Sequence, residues 1–309
     1  MKNYTPPVFN FTENWKEHLE SEGYAVICNV LEPSVMNTGI EHFWKDWNTV
    51  SPGFIRNDPS TWSINTSPLM FAKGMAVFNG FGQCDFMWYL RTQQAIIDIF
   101  AKIHGTEDLI TSFDGFSVFF SKKQKSPKDW WHIDQHPDNP DYTVQGAYNF
   151  FPVKEESAGF TVVPKSHITF QPSPAKIKKD WIQIHSNKSP EENLQIISNG
   201  VKLIIPGNCF VLWNSKTIHA NTGMTCKNDP GKIDRLTAYI TFIPRSRRTN
   251  QAQIEQRKNA YFNGHTTSHW PNKVEIKVYP WGFGPTYERR GYKKIIPNQD
   301  ISEKRMFLI

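Results

Sequence analysis

Between residues 111 and 245 the chain is a succession of short apolar runs separated by turn residues. They fall at 115–121, 129–135, 144–151, 159–163, 201–204, 209–213 and 236–243. Phe116-Ser117-Val118-Phe119-Phe120 is typical, built from residues that suit a pleated, half-buried surface. Many short strands at close spacing pack as a sandwich or small barrel, so the fold class is mainly β. Helices flank this region. Residues 12–22 read as a helix ended by Gly23, and Tyr24 to Cys28 as a strand. Pro33 and Ser34 open a second helix with Val35, Ile40, Phe43, Trp44 and Trp47 on one stripe. Residues 48–80 are loop-rich, whereas 91–104 and 249–262 carry helical patterns.

This organisation predicts an N-terminal region of helices and a strand over 1–110 that packs on a β core over 111–245. The core carries a charged insertion at 171–197, and 246–309 supplies a helix and a wrapping tail. All three are expected to form one structural domain. With 39% hydrophobic and 14% aromatic residues the chain can bury a sizeable core. No apolar run reaches membrane-spanning length and no signal-peptide apolar region opens the chain, so a cytoplasmic protein is expected. Cys28, Cys84, Cys209 and Cys226 show no CxxC pairing, which argues against a zinc site or a disulfide scaffold. Cys28 and Cys209 sit in apolar runs and read as reduced core residues.

His132-Ile133-Asp134 carries the chemistry. Alternate strand residues share a face, so His132 and Asp134 project together. A second histidine, His219, lies far downstream. Two histidines and one carboxylate on one side of a metal leave open positions, the arrangement of non-haem Fe(II) oxygenases. His-x-Asp alone is also what an ordinary hydrogen-bonded pair looks like. His136 follows on the same strand, but Pro137 ends it and gives His136 a loop or pocket role. His167 reads as structural, and Trp131 and Trp213 as core or pocket walls. Gln145, Ala147 and Asn149 share a strand face; if it is the inner one, Asn149 reaches substrate or co-substrate. Gln135 points away from Asp134.

The order of motifs adds weight. His132-x-Asp134 is followed by Gln145 to Val153, then Ala158-Gly159-Phe160-Thr161-Val162-Val163-Pro164-Lys165-Ser166-His167. Pro206-Gly207-Asn208-Cys209-Phe210-Val211-Leu212-Trp213 leads to His219, and Arg235 precedes a further strand. This run resembles the phytanoyl-CoA-dioxygenase-like branch of the Fe(II)/2-oxoglutarate oxygenases over 111–245, with Gly23-Tyr24-Ala25-Val26 matching a family feature near the N-terminus.

The resemblance implies a double-stranded β-helix (jelly-roll) core and Fe(II) held by His132, Asp134 and His219. It implies 2-oxoglutarate as co-substrate, with its far carboxylate on Arg235 and help from Asn221. A planar, permanently charged guanidinium suits that task. Lys165 stands where the family has glycine, and the His219–Arg235 interval is long, leaving Arg245 in reserve. With a carboxylate at Asp134, the implied reaction is hydroxylation. O₂ and 2-oxoglutarate are consumed, and succinate and CO₂ are released. A small-molecule substrate is expected. The net charge of +6, with clusters at Lys122–Lys125, Lys176–Lys179 and Arg245–Arg248, favours an acidic or phosphorylated one. The alternatives are an oxygenase acting on nucleic acid or protein, and a non-catalytic jelly-roll binding protein. A cupin-like metal enzyme is disfavoured by the absence of clustered His-x-His and Glu ligands. Membrane association is not expected.

Overall fold

A computed structural model describes residues 2–63, 65–70, 74–120, 130–172, 180–225, 231–248, 250–273 and 293–309. The basic runs Lys122–Lys125 and Lys176–Lys179, Cys226, the turn Asn228-Asp229-Pro230 and the glycine- and proline-containing part of the tail lie outside these residues. The strands, in chain order, are β1 (Lys2–Tyr4), β2 (Tyr24–Cys28), β3 (Met75–Ala76), β4 (Leu109–Thr111), β5 (Phe116–Phe120), β6 (His132–Ile133) and β7 (Val144–Asn149). They continue with β8 (Gly159–Val162), β9 (Ile182–Gln183), β10 (Val201–Leu203), β11 (Cys209–Asn214), β12 (His219–Thr222), β13 (Ile233–Tyr239) and β14 (Phe242–Pro244). The helices are α1 (Trp15–Glu22), α2 (Pro33–Val50), α3 (Asp85–Arg91), α4 (Gln94–His104), α5 (Ser166–Thr169), α6 (Ile184–Asn187), α7 (Pro190–Ser198), α8 (Gln251–Phe262) and α9 (Glu303–Leu308).

Strand pairing in the core is nested. β8 pairs with β10, β7 with β11, β6 with β12 and β5 with β13, each antiparallel. A long antiparallel ribbon wound on itself pairs in this way, and the result is a jelly roll. The chain is therefore mainly β with flanking helices around a double-stranded β-helix core, as the sequence predicts.

The chain forms two compact units. The first comprises residues 1–30 and 121–228. Its larger sheet runs β1-β10-β8-β12-β6-β9, and β2, β11 and β7 pair side by side in a second. Gly23, the α1 cap, has φ +81°. A Cβ there would lie 2.5 Å from both His167 Nδ1 and Thr217 Oγ1, so only glycine fits. Its carbonyl accepts from Asn214 N and Thr217 Oγ1, tying α1 to the turn between β11 and β12. Lys165 has φ +63°, so the turn there keeps a conformation that glycine favours.

Cys28 and Cys209 are joined by a disulfide, which corrects their reading as reduced thiols. They are direct partners in the β2–β11 register, with Cα atoms 4.1 Å apart. Sequence spacing does not reveal such a pairing.

The second unit comprises 31–120 and 229–309. In it β3, β5 and β13 pair, as do β4 and β14. The stripe expected on α2 is its buried face: Phe43, Trp44 and Trp47 meet Phe54, Phe116 and Phe120 in an aromatic cluster. Burial of each such ring contributes about 2–3 kcal/mol. The helix expected over 91–104 begins only at Gln94, because a separate helix, α3, ends at Arg91. Arg91 is fully buried and donates to the carbonyls of Gly82 and Asp114. Among the described residues no helix is long and apolar enough to cross a membrane.

Asp46 is the charged exception on the buried face of α2. It accepts from Phe86 N at 2.8 Å at the start of α3, and burial pushes its carboxyl up to about 6. Between the unfolded value near 4 and about 6 the folded protein holds a proton that the unfolded chain has lost. The stability from this group is complete below about pH 4 and falls as pH rises through about 6. Asp46→Asn keeps the acceptor without the charge. Urea unfolding should show the variant more stable than wild type by on the order of 2 kcal/mol at pH 8, with the difference shrinking toward pH 4. A pH-independent difference would contradict the assignment.

Candidate metal centre

β6 and β12 place the ligands. In their antiparallel register His132 lies directly opposite His219. Direct partners share a face, so both imidazoles project to the same side. The strand expected over 129–135 is shorter than its pattern suggests, and Asp134 lies just beyond it. Its backbone N–H is held by Ser215 O at 2.9 Å, in the turn that leads into β12.

The three side chains converge in a buried site. His132 Nε2 is 3.6 Å from Asp134 Oδ1, and His219 Nε2 is 3.2 Å from Asp134 Oδ2. Their ligand atoms all lie within 4.8 Å of one another. Adjacent ligands about 2.1 Å from a first-row metal stand about 3 Å apart, so the triangle fits such an ion. The imidazole tautomers also fit. His132 Nδ1 lies 2.7 Å from Trp130 O, and His219 Nδ1 lies 2.9 Å from Thr217 O. A carbonyl can only accept, so each Nδ1 carries the proton and each Nε2 turns its lone pair to the centre. Metal-binding histidines are commonly oriented in this way. A dication held by two neutral imidazoles and one carboxylate leaves a net single positive charge, which favours an anionic further ligand.

Aromatic rings enclose the histidines. Trp130 stacks on His132 at 5.0 Å, and Phe160 stacks on His219 at 5.7 Å. Trp213 lies 5.4 Å from His219, in the wall position expected for it. Trp131 instead packs into a small apolar cluster with Ile133, Ile182, Ile184 and Ile218.

Gln145 was legible as a member of a strand face but not as a partner of Asp134. Its Nε2 donates to Asp134 Oδ2 at 2.8 Å and to Ser215 Oγ at 3.1 Å. Gln145 is buried, and this contact identifies the face of β7 that it shares with Ala147 and Asn149 as the one turned toward the triad. Asn149 is buried on that face and donates to Ala147 O. Asn221 is buried on β12 two residues after His219. No sequence signal short of the strand register distinguishes Gln145 from its neighbours.

His136 and His167 take ordinary roles. His136 Nδ1 accepts from Asp138 N within the loop, and His167 Nε2 lies 2.9 Å from Glu20 O. Gln135 contacts Asp141 O and Thr143 N, away from Asp134. In the second unit Arg235 is buried on β13, and its Nε donates to Thr237 Oγ1 at 2.9 Å. Burial lowers its pKa from the ordinary guanidinium value, an effect opposed by Tyr239 and Asp234. Arg245 is half-buried and ion-paired with Asp108 at 2.8 Å.

No family model matches the chain. A curated relative from Aspergillus versicolor, Ava biosynthesis cluster protein O, is 24% identical over 279 residues, covering 86% of this chain and 88% of the relative. Among solved structures, the epimerase SnoN in complex with Fe3+, alpha ketoglutarate and nogalamycin RO is 15% identical with a TM-score of 0.49, over 74% of this chain and 82% of that one. AviO1 from Streptomyces viridochromogenes Tue57 is 13% identical with a TM-score of 0.46, over 75% and 94%.

Gln145→Leu removes the donor to Asp134 while keeping the volume. Loss of a hydrogen bond to a ligating carboxylate commonly costs about 10- to 100-fold in metal affinity. Anaerobic titration with Co(II), followed through its visible absorption, should show a loss in that range with unchanged far-UV circular dichroism. Wild-type affinity in the variant would remove Gln145 from the metal centre.

Proposed function

We propose that this chain is a phytanoyl-CoA-dioxygenase-like, Fe(II)- and 2-oxoglutarate-dependent dioxygenase that hydroxylates a small molecule. The observation that carries this reading is the buried triangle of His132, Asp134 and His219, with both Nε2 atoms turned inward by backbone carbonyls. A hydrogen-bonded pair needs neither the third residue nor two matched tautomers. Two neutral nitrogens and one carboxylate on one side leave room for a chelating keto acid and O₂. The motif order supports the family assignment. The name of the Aspergillus relative supports a role in small-molecule biosynthesis.

Iron bound there supplies the redox chemistry, coupling oxidative decarboxylation of 2-oxoglutarate to hydroxylation of a substrate C–H bond. The residues of the chain do the rest. His132, Asp134 and His219 hold the ion, and Gln145 fixes the Asp134 carboxylate. Trp130, Phe160 and Trp213 restrict water around the imidazoles. Arg235 is the proposed partner of the far carboxylate of 2-oxoglutarate, with Asn221 and Asn149 assisting. Its burial suits that role better than the half-buried Arg245, which is ion-paired with Asp108. Of the basic clusters behind the acidic or phosphorylated substrate, Arg245 is engaged by Asp108 and two runs lie outside the described residues.

Anaerobic addition of Fe(II) and 2-oxoglutarate should develop the weak visible charge-transfer band of a chelated keto acid. His132→Ala, Asp134→Ala and His219→Ala should abolish it. Arg235→Lys, which keeps the charge but loses the fork, should weaken 2-oxoglutarate binding about 10- to 100-fold. A wild-type protein that binds neither iron nor 2-oxoglutarate would sink this reading and leave a jelly-roll binding protein.

A further inference from the structure

The 171–197 insertion contributes a strand to the metal centre. β9 pairs antiparallel with β6, setting Gln183 opposite His132 and Ile182 opposite Ile133. Ile184 N donates to Trp131 O at 2.9 Å, which continues the register in one direction. Continued in the other direction, it sets Trp181 opposite Asp134. Direct antiparallel partners share a face, so β9 has two distinct sides. Ile182 and Ile184 are buried in the apolar cluster with Ile133 and Trp131. Gln183 and Trp181 therefore stand on the side of His132 and Asp134. The ring geometry agrees, since the Trp181 indole lies 5.8 Å from the His132 imidazole.

Trp181 is 48% exposed although it adjoins a buried ligand triangle. An indole ordered beside a reacting centre and left open to solvent offers a flat apolar face to whatever approaches. Its surroundings are held in place. Asp180 Oδ1 accepts from His136 N at 3.4 Å and from Asn139 Nδ2 at 3.3 Å, joining the start of β9 to the loop after Asp134. Lys216 Nζ donates to the carbonyls of Pro137 and Asn139, anchoring the same loop to the β11–β12 turn. A ring compound that approaches the ligands finds the indole face of Trp181.

We propose that the segment of β9 is the substrate-facing wall of the centre, and that it takes a ring compound. The ring stacks on Trp181. This rests on the proposed oxygenase site and adds its substrate class.

The test uses the full chain loaded with Zn(II) and 2-oxoglutarate, with naringenin as the probe and calorimetry as the readout. Wild type should bind naringenin and not octanoate. Trp181→Ala should weaken binding about tenfold, and Trp181→Phe, which keeps a flat ring, should restore it to within about threefold. Wild type that fails to bind naringenin, or binding that is unchanged in Trp181→Ala or equally reduced in Trp181→Phe, overturns the proposal. The charge-transfer band with Fe(II) is scored separately in wild type. Its absence overturns the iron reading alone, while its presence with no naringenin binding overturns the ring-binding wall alone.

Discussion

The pairing of β6 with β12 is the constraint on which the metal centre depends. It sets two histidines from distant parts of the chain directly opposite each other. Once the register is fixed, the rest follows at short range. Asp134 stands two residues after His132, and each imidazole meets the carbonyl of the residue two before it. A slip of one residue would turn His219 to the opposite face and leave Asp134 and His132 without it. The neighbouring pairings resist such a slip. β8 holds the other edge of β12 over four residue pairs, and β9 holds the other edge of β6.

The same sheet shows how a jelly roll manages its edges. An unpaired strand edge exposes donors and acceptors and invites association with another chain. At one end β1 pairs in parallel with β10; at the other β9 closes the sheet beside β6. The closing strand comes from a segment whose charge and proline content suggest a surface excursion. Ile182 of β9 and Ile184 just after it pack into the apolar cluster with Ile133. A two-residue strand thus extends a hydrogen-bond ladder and helps to fill a small apolar cluster.

Much of this was legible in sequence because it is written in local periodicity. The seven expected strands of the β region overlap observed ones, although 129–135 shrinks to β6 and 236–243 spans the end of β13 and the start of β14, and Phe43, Trp44 and Trp47 of the expected stripe are buried on α2. His132 and Asp134 were readable because strand alternation is a local rule, and His219 because motif order pointed to it. What escaped depends on register between distant segments. Gln145 is distinguished from Ala147 or Asn149 only by the atom it meets. Cys28 and Cys209 pair because β2 and β11 lie side by side, which no spacing reveals. β9 is too short to carry a period, and its role appears only beside β6. The helix expected over 91–104 begins only at Gln94, because Arg91 closes the separate helix α3 and the break at Thr92 and Gln93 carries no glycine or proline to mark it.

The polar groups around the triad carry a cost that is met within the scaffold. Asp134, Gln145 and Ser215 are all buried, and an unsatisfied polar atom at such a site costs about 1–3 kcal/mol. Gln145 bridges Asp134 and Ser215, and Ser215 O accepts from the backbone of Asp134 and Gln135. The carboxylate is therefore held before any ion arrives, and its orientation need not be imposed by metal binding. The loop after Asp134 is treated in the same way, since Lys216 gives its ammonium to two loop carbonyls. Groups ordered during folding do not have to be ordered again when a ligand binds, so less binding energy is lost to positioning them. The strand register sets where the ligands are, and this polar network sets which way they face.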